Sequence, residues 1–284
     1  MSFRDILVFL DEGGASEGRL QLATKIARDH GACLSAVFLQ NGQATGSRPR
    51  FAAPWLGLVT GPPTSGAIVT SQISEPADIA EQQFRDCLRS LKVEGDWHPL
   101  SRADTGELIT LAQAADLVII GQVKPDARPA PTWRPEEIVV CCGRPVLMVP
   151  YVGSYTHVGR RVLVAWDSSR EAVRALNDAL PLIHGADEVT LMTVRARAKD
   201  LERGGMSTER VVRHLARHGI AARAVQDLYL GSAISDELLS RSFDLAADLI
   251  VAGAYHHSQL RETFLGGVSR DLFQRMTLPV LMSH

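Results

Sequence analysis

The residues best placed to do chemistry sit in the second half of this 284-residue chain, where an aspartate ends an apolar run and a pair of glycines precedes a helical pattern. Asp167 closes the run VLVAWD, which reads as a buried strand. In an open parallel sheet, ligands bind beyond the carboxyl ends of the strands. A carboxylate there can accept a hydrogen bond from a ribose hydroxyl, while the backbone at Ala165 and at Val194, near the end of the next apolar run, can meet an adenine edge. The same carboxylate could equally do no more than start the following helix, whose dipole favours negative charge at its first turn.

The second feature is the stretch from Gly253 to Arg270, GAYHHSQLRETFLGGVSR. Gly266 and Gly267 open the last helix, so free amides at its N-terminus would face a ligand with no side chain in the way, a geometry suited to phosphate. Glycines here could also serve a tight turn alone. His256 and His257 are a poor metal pair, because adjacent side chains rarely point at one ion and no acidic or cysteine partner is near in sequence.

Other chemistries lack their residues. There is no G-x-x-x-x-G-K-[ST] phosphate loop, and none of the four lysines follows a glycine-rich turn. There is no G-x-S-x-G elbow for a nucleophilic serine. Cys33, Cys87, Cys141 and Cys142 form no C-x-x-C pair; the last two read as reduced thiols at a helix end. A net charge of −2 with scattered basic residues gives no footprint for nucleic acid or an anionic membrane. The longest apolar runs fall far short of the roughly 20 residues that cross a bilayer, and the N-terminus is acidic where a signal peptide is basic, so a cytoplasmic protein is expected.

The elements that must position these residues come from a repeat. ILVFLD ending at Asp11 matches VLVAWD ending at Asp167; ADLVIIG ending at Gly121 matches ADLIVAG ending at Gly253; and Pro-Val-Leu-Met occurs at Pro145–Met148 and Pro279–Met282. The span from acid to glycine is longer in the first copy. The extra residues fall at 40–66, a segment dense in Gly, Pro, Ser and Thr, with Phe51, Trp55, Leu56 and Leu58 expected to tuck against the protein or to form a flap over a ligand. The apolar runs are continuous rather than alternating, as in parallel strands covered on both faces. The second half predicts strand 161–166, helix 170–183, strand 188–194, helix 208–218 closed by Gly219, strand 221–228, helix 233–245, strand 248–252, helix 267–276 and strand 279–282. The first of these helices shows a capping-box start, Ser168 with Glu171. This is α/β architecture in two tandem open five-stranded parallel sheets, residues 1–152 and 153–284. The last strand is an apolar edge, able to pair with another chain or with the other half.

At Gly253 and Gly266 the chain resembles the universal stress protein family, and the resemblance spans both halves. ATP-binding members carry a glycine, two residues, a second glycine, nine residues, then glycine followed by serine or threonine. Gly253 and Gly266 match the first and third positions, and Gly-Gly-Val-Ser followed by Met-Thr-Leu-Pro-Val-Leu-Met resembles the family's C-terminal signature. His256 stands at the second glycine and Gly267 at the serine position, with Ser269 two residues later. The resemblance implies a Rossmann-like fold of the adenine nucleotide alpha hydrolase type and a stress-response protein binding ATP or a related adenine nucleotide. Its ligand residues would be Ala165, Asp167, Val194, Gly253, His256, Gly266, Gly267, Val268 and Ser269, with Mg2+ bridging the phosphates and at most slow hydrolysis. No residue stands out as a general base. The histidine pair also resembles members that do not bind ATP, which implies as an alternative a nucleotide-free, dimerising interaction protein with partners of its own. After Gly121 the first copy places Lys124 and Arg134 at the motif glycines and adds Pro125, Pro129, Pro131 and Pro135, so a phosphate cradle is not credible there. The first half reads as a degenerate copy kept for packing and pairing.

Overall fold

The structure is a computed structural model that describes residues 2–39, 75–100, 105–124, 133–195, 208–228, 233–254 and 267–284. The insertion expected at 40–66 lies outside the described residues, as do His256 and Gly266. The first half runs β1 (Asp5–Asp11), α1 (Ser16–His30), β2 (Cys33–Leu39), α2 (Glu75–Leu91), β3 (Trp97–Leu100), α3 (Thr105–Gln113), β4 (Leu117–Gly121), α4 (Pro135–Cys141) and β5 (Val146–Val149). The second runs β6 (Arg161–Ala165), α5 (Arg170–Ile183), β7 (Glu188–Arg195), α6 (Thr208–Arg217), β8 (Ala222–Leu228), α7 (Ile234–Asp244), β9 (Leu249–Gly253), α8 (Gly267–Arg275) and β10 (Val280–Ser283).

Every residue of β4 and β5 is buried, as continuous apolar runs require when helices cover both faces of a sheet. The strands lie in the order β3-β2-β1-β4-β5-β10-β9-β6-β7-β8. Two five-stranded parallel sets therefore share an edge, where β10 pairs antiparallel with β5: Val280 opposite Met148, Leu281 opposite Leu147, Met282 opposite Val146. The apolar edge foreseen at the last strand is covered from within the chain. One core, containing Val8, Phe38, Leu147, Val164, Leu176 and Leu281, lies under α1, α2, α5 and α6. The other, containing Phe9, Leu108, Met148, Ile250, Leu272 and Met282, lies under α3, α4, α7 and α8. Both cores cross the β5–β10 joint.

Helix α5 occupies the predicted residues, but its start corrects the expected capping box. Ser169, not Ser168, is the N-cap, its Oγ accepting the Ala172 amide at 3.0 Å. Ser168 takes a left-handed conformation (φ 66°), which turns the chain one residue later than a Ser168–Glu171 box needs. Gly219 closes α6 as expected, at φ 74°.

The repeated Ala-Asp pair has a structural purpose at the end of the sheet away from the ligand loops. Asp116 accepts the amides of Arg4 (2.7 Å) and Asp5 (3.2 Å), fixing the start of β1. Asp248 accepts those of Gly159 (3.0 Å), Arg160 (3.0 Å) and Arg161 (3.2 Å), fixing the start of β6. The halves are also tied by Gln122, which follows β4. Its buried side-chain amide donates to the carbonyls of Phe273 and Gln274 in the last turn of α8, both at 3.0 Å.

Candidate functional site

In the second half the chain leaves β6 for β7 on one side and later returns to β9 on the other, so the strand order reverses between β6 and β9. Such a switch point leaves a crevice beyond the strand ends. Ala165 lies opposite Ala252 there, which places Asp167 and Gly253 at its mouth. Helix α8 leads into β10, which is parallel to β9, so its first turn, Gly267 to Ser269, begins at this same end of the sheet.

Asp167 is exposed. Its Oδ1 accepts the Ser169 amide at 2.9 Å, so the helix-starting role is real, while its second oxygen has no partner among the described residues. Ala165 and Val194 are half-buried beside it. Gly253 is needed for packing as well as for access. A Cβ there would stand 2.6 Å from the Ala172 nitrogen and 2.9 Å from the Glu171 Cβ, so the first turn of α5 rests on bare backbone. Val268 is half-buried against the core under α8, and Ser269 is buried. Asp167, Gly253 and the start of α8 thus come to the same end of the sheet at the switch point, while His256 and Gly266 lie outside the described residues.

The first half shows what an occupied version of this geometry looks like, and sequence reasoning missed it. Arg19, on the first turn of α1 and 3% exposed, reaches back to the Asp11 carboxylate at 2.7 Å and to Ser16 Oγ at 2.8 Å. Asp11 is held further by the amide of Gly13 (2.7 Å) and the hydroxyl of Ser16 (3.0 Å). A Cβ on Gly121 would run into the Arg19 guanidinium. The cation therefore fills the space above Gly121. An arginine in a helix usually reads as a solvated residue; the signals were Asp11 eight positions earlier and the glycine ending β4.

Burial raises the pKa of all four cysteines, with nearby acids adding to the effect at Cys33, Cys87 and Cys141, so none is an activated nucleophile. Among the described residues no group of three or more His, Cys, Asp or Glu is arranged to hold a metal ion, and no helix is long and apolar enough to cross a membrane. A groove between α2 and β3, lined by Phe84, Arg85, Arg89 and Trp97, lies at the far edge of the sheet and gathers no reactive set.

Residues 159–284, which contain this crevice, match the family model described as Universal stress protein family. Over those residues the chain carries a universal stress protein domain. The fold likeness extends over both halves: a universal stress protein from Archaeoglobus fulgidus DSM 4304 aligns with a TM-score of 0.68 at 15% identity, covering 98% of this chain and 97% of that one. A functionally unknown protein from Pseudomonas aeruginosa PAO1 aligns with a TM-score of 0.56 at 16% identity, covering 99% and 92%. At these identities the likeness is one of fold, so the architecture of both halves is that of universal stress protein structures. No curated protein matches the sequence.

Proposed function

We propose that this is a cytoplasmic stress-response protein of two universal stress protein domains, 1–152 and 153–284, that binds ATP or a related adenine nucleotide in the second. The observation that carries the reading is the contrast between two equivalent aspartates. Asp11 is neutralised by a buried arginine, whereas Asp167 stands exposed at the switch point with an oxygen to spare. Asp167 would hold the ribose, backbone at Ala165 and Val194 the base, and Gly253, His256, Gly266, Gly267, Val268 and Ser269 the phosphates, with Mg2+ between them. The donor set fits such a group, since a carboxylate and the first amides of a helix lie at one end of one sheet. Turnover would be slow at most.

Calorimetric titration with ATP and with AMP, each with and without magnesium, tests this. Saturable binding is expected, and none at millimolar nucleotide would end the reading. His256→Gly should tighten ATP by restoring the glycine at that position. The second reading, a nucleotide-free interaction protein that associates through its paired halves, is favoured by the arginine-filled first crevice and by the packing need that already accounts for Gly253. It predicts that Asp167→Ala changes nothing in these titrations.

A further inference from the structure

One residue below the mouth of the crevice, the second half carries a row of polar side chains that the fold does not ask for. Trp166, Thr193 and Ser283 directly precede Asp167, Val194 and His284, and are 4%, 2% and 0% exposed. Trp166 Nε1, Thr193 Oγ1 and Ser283 Oγ are buried without a hydrogen-bond partner among the described residues. They share a face. Trp166 belongs to the core under α5, and Thr193 and Ser283 lie two positions beyond Leu191 and Leu281 of that core, on the same side of the pleat. They also share a level: the Trp166 amide donates to Met192, next to Thr193, and Ser283 lies opposite Gly253 at the end of β9.

The repeat supplies the control. At the matching level in the first half stand Leu10, Phe38, Gly121 and Val149, in register across β1, β2, β4 and β5, and the three side chains are apolar core. At this level the strand side chains are therefore apolar in one copy, where Arg19 enters from α1, and include three unmet hydrogen-bonding groups in the other. Buried polar groups without partners destabilise a protein, so they need a reason.

We infer that Trp166 and Thr193 lie on the floor of the ligand crevice and set its specificity, this adjacent pair reading the edge of a purine that carries a ring-nitrogen acceptor beside an exocyclic amine. The indole N–H can only donate and takes the ring nitrogen; the threonine hydroxyl accepts from the amine. Ser283 lies on the far side of Gly253, over which the first turn of α5 packs, and takes no part in reading the base. The ligand reaches one residue deeper than the rim formed by Asp167 and Val194. This rests on the adenine-nucleotide reading and adds to it the groups that select the base.

The test uses the full chain and two probes, AMP and purine riboside 5′-monophosphate, which lacks the exocyclic amine. Thr193→Val keeps the shape and removes the hydroxyl. The expected result has opposite signs: a higher unfolding temperature without ligand, because an unmet hydroxyl is gone, and AMP affinity lower by about tenfold, the worth of one neutral hydrogen bond to a buried group. Discrimination between AMP and the riboside should fall toward unity in Thr193→Val and persist in Thr193→Ser. A variant that gains stability while binding both probes as the wild type does would overturn the inference and leave nucleotide binding standing. Failure of the wild type to bind either probe would remove the nucleotide reading itself, and this inference with it.

Discussion

Removing the two partners of the Arg19–Asp11 pair should have unequal consequences. In Asp11→Ala the guanidinium stays where it is, 3% exposed, with Ser16 Oγ as a remaining acceptor and its Nε already without a partner among the described residues. Stranding a buried charge costs about 3–5 kcal/mol. Asp11 itself is 36% exposed, so water entering at its site would screen part of that charge, and about 2–3 kcal/mol is the working figure. In Arg19→Met the charge goes and an apolar chain of similar reach covers Gly121, while Asp11 keeps the Gly13 amide, the Ser16 hydroxyl and solvent. A change within about 1 kcal/mol follows, because exchanging a buried ion for a well-packed apolar side chain is close to neutral. In the double variant the loss seen in Asp11→Ala should largely disappear, giving a coupling of about 2 kcal/mol. Urea unfolding followed by circular dichroism, with slopes unchanged among the four proteins, measures this. The reasoning is refuted if Arg19→Met costs as much as Asp11→Ala, since the guanidinium would then be a net stabiliser rather than a tolerated occupant.

Asp248→Ala should destabilise by about 2–3 kcal/mol in the same assay, because three strand-start amides lose a charged acceptor. Asp167→Ala should leave stability within about 1 kcal/mol, its one hydrogen bond among the described residues being to the Ser169 amide at an exposed site, and should weaken adenine nucleotide binding about tenfold or more by calorimetry. The four cysteines should react slowly with iodoacetamide at neutral pH and faster as the pH rises through the thiol range, since burial disfavours the thiolate; rapid labelling at pH 7 would contradict the assignment. Leu281→Ala, fully buried opposite Leu147, should cost about 2–5 kcal/mol by thermal or urea unfolding.

Much of this architecture was legible in the residues because its signals are local. The run at 170–183 predicts α5 to the residue, and the repeated runs ending in Asp11, Gly121, Asp167 and Gly253 place the ends of β1, β4, β6 and β9 within a residue or two. What was not legible depends on contacts distant in sequence. The Ala-Asp repeat is visible as a landmark, but its use appears only when Asp248 meets amides 87 to 89 positions earlier. The start of α5 shifted because the Asp167 carboxylate captures the Ser169 amide and Ser168 turns left-handed, which a spacing rule does not register. Arg19 was hidden for the same reason, its burial depending on Gly121 a hundred positions away. At the site, Asp167, Ala165 and Gly253 follow from strand ends, whereas the Trp166, Thr193 and Ser283 row shows itself only once four strands lie side by side.

The antiparallel seam between β5 and β10 means that neither half is a self-sufficient module. Cutting the chain after the fifth strand would bare the backbone edge of β5 and uncover part of Leu147 and Met148, now buried in cores that the two halves share. Such a fragment would regain its cover by docking on a second copy of itself along that strand. The duplicated chain thus resembles a dimer whose subunits have been fused, which frees its two strand ends to diverge: Arg19 fills the space beside Asp11, while Asp167 stays exposed.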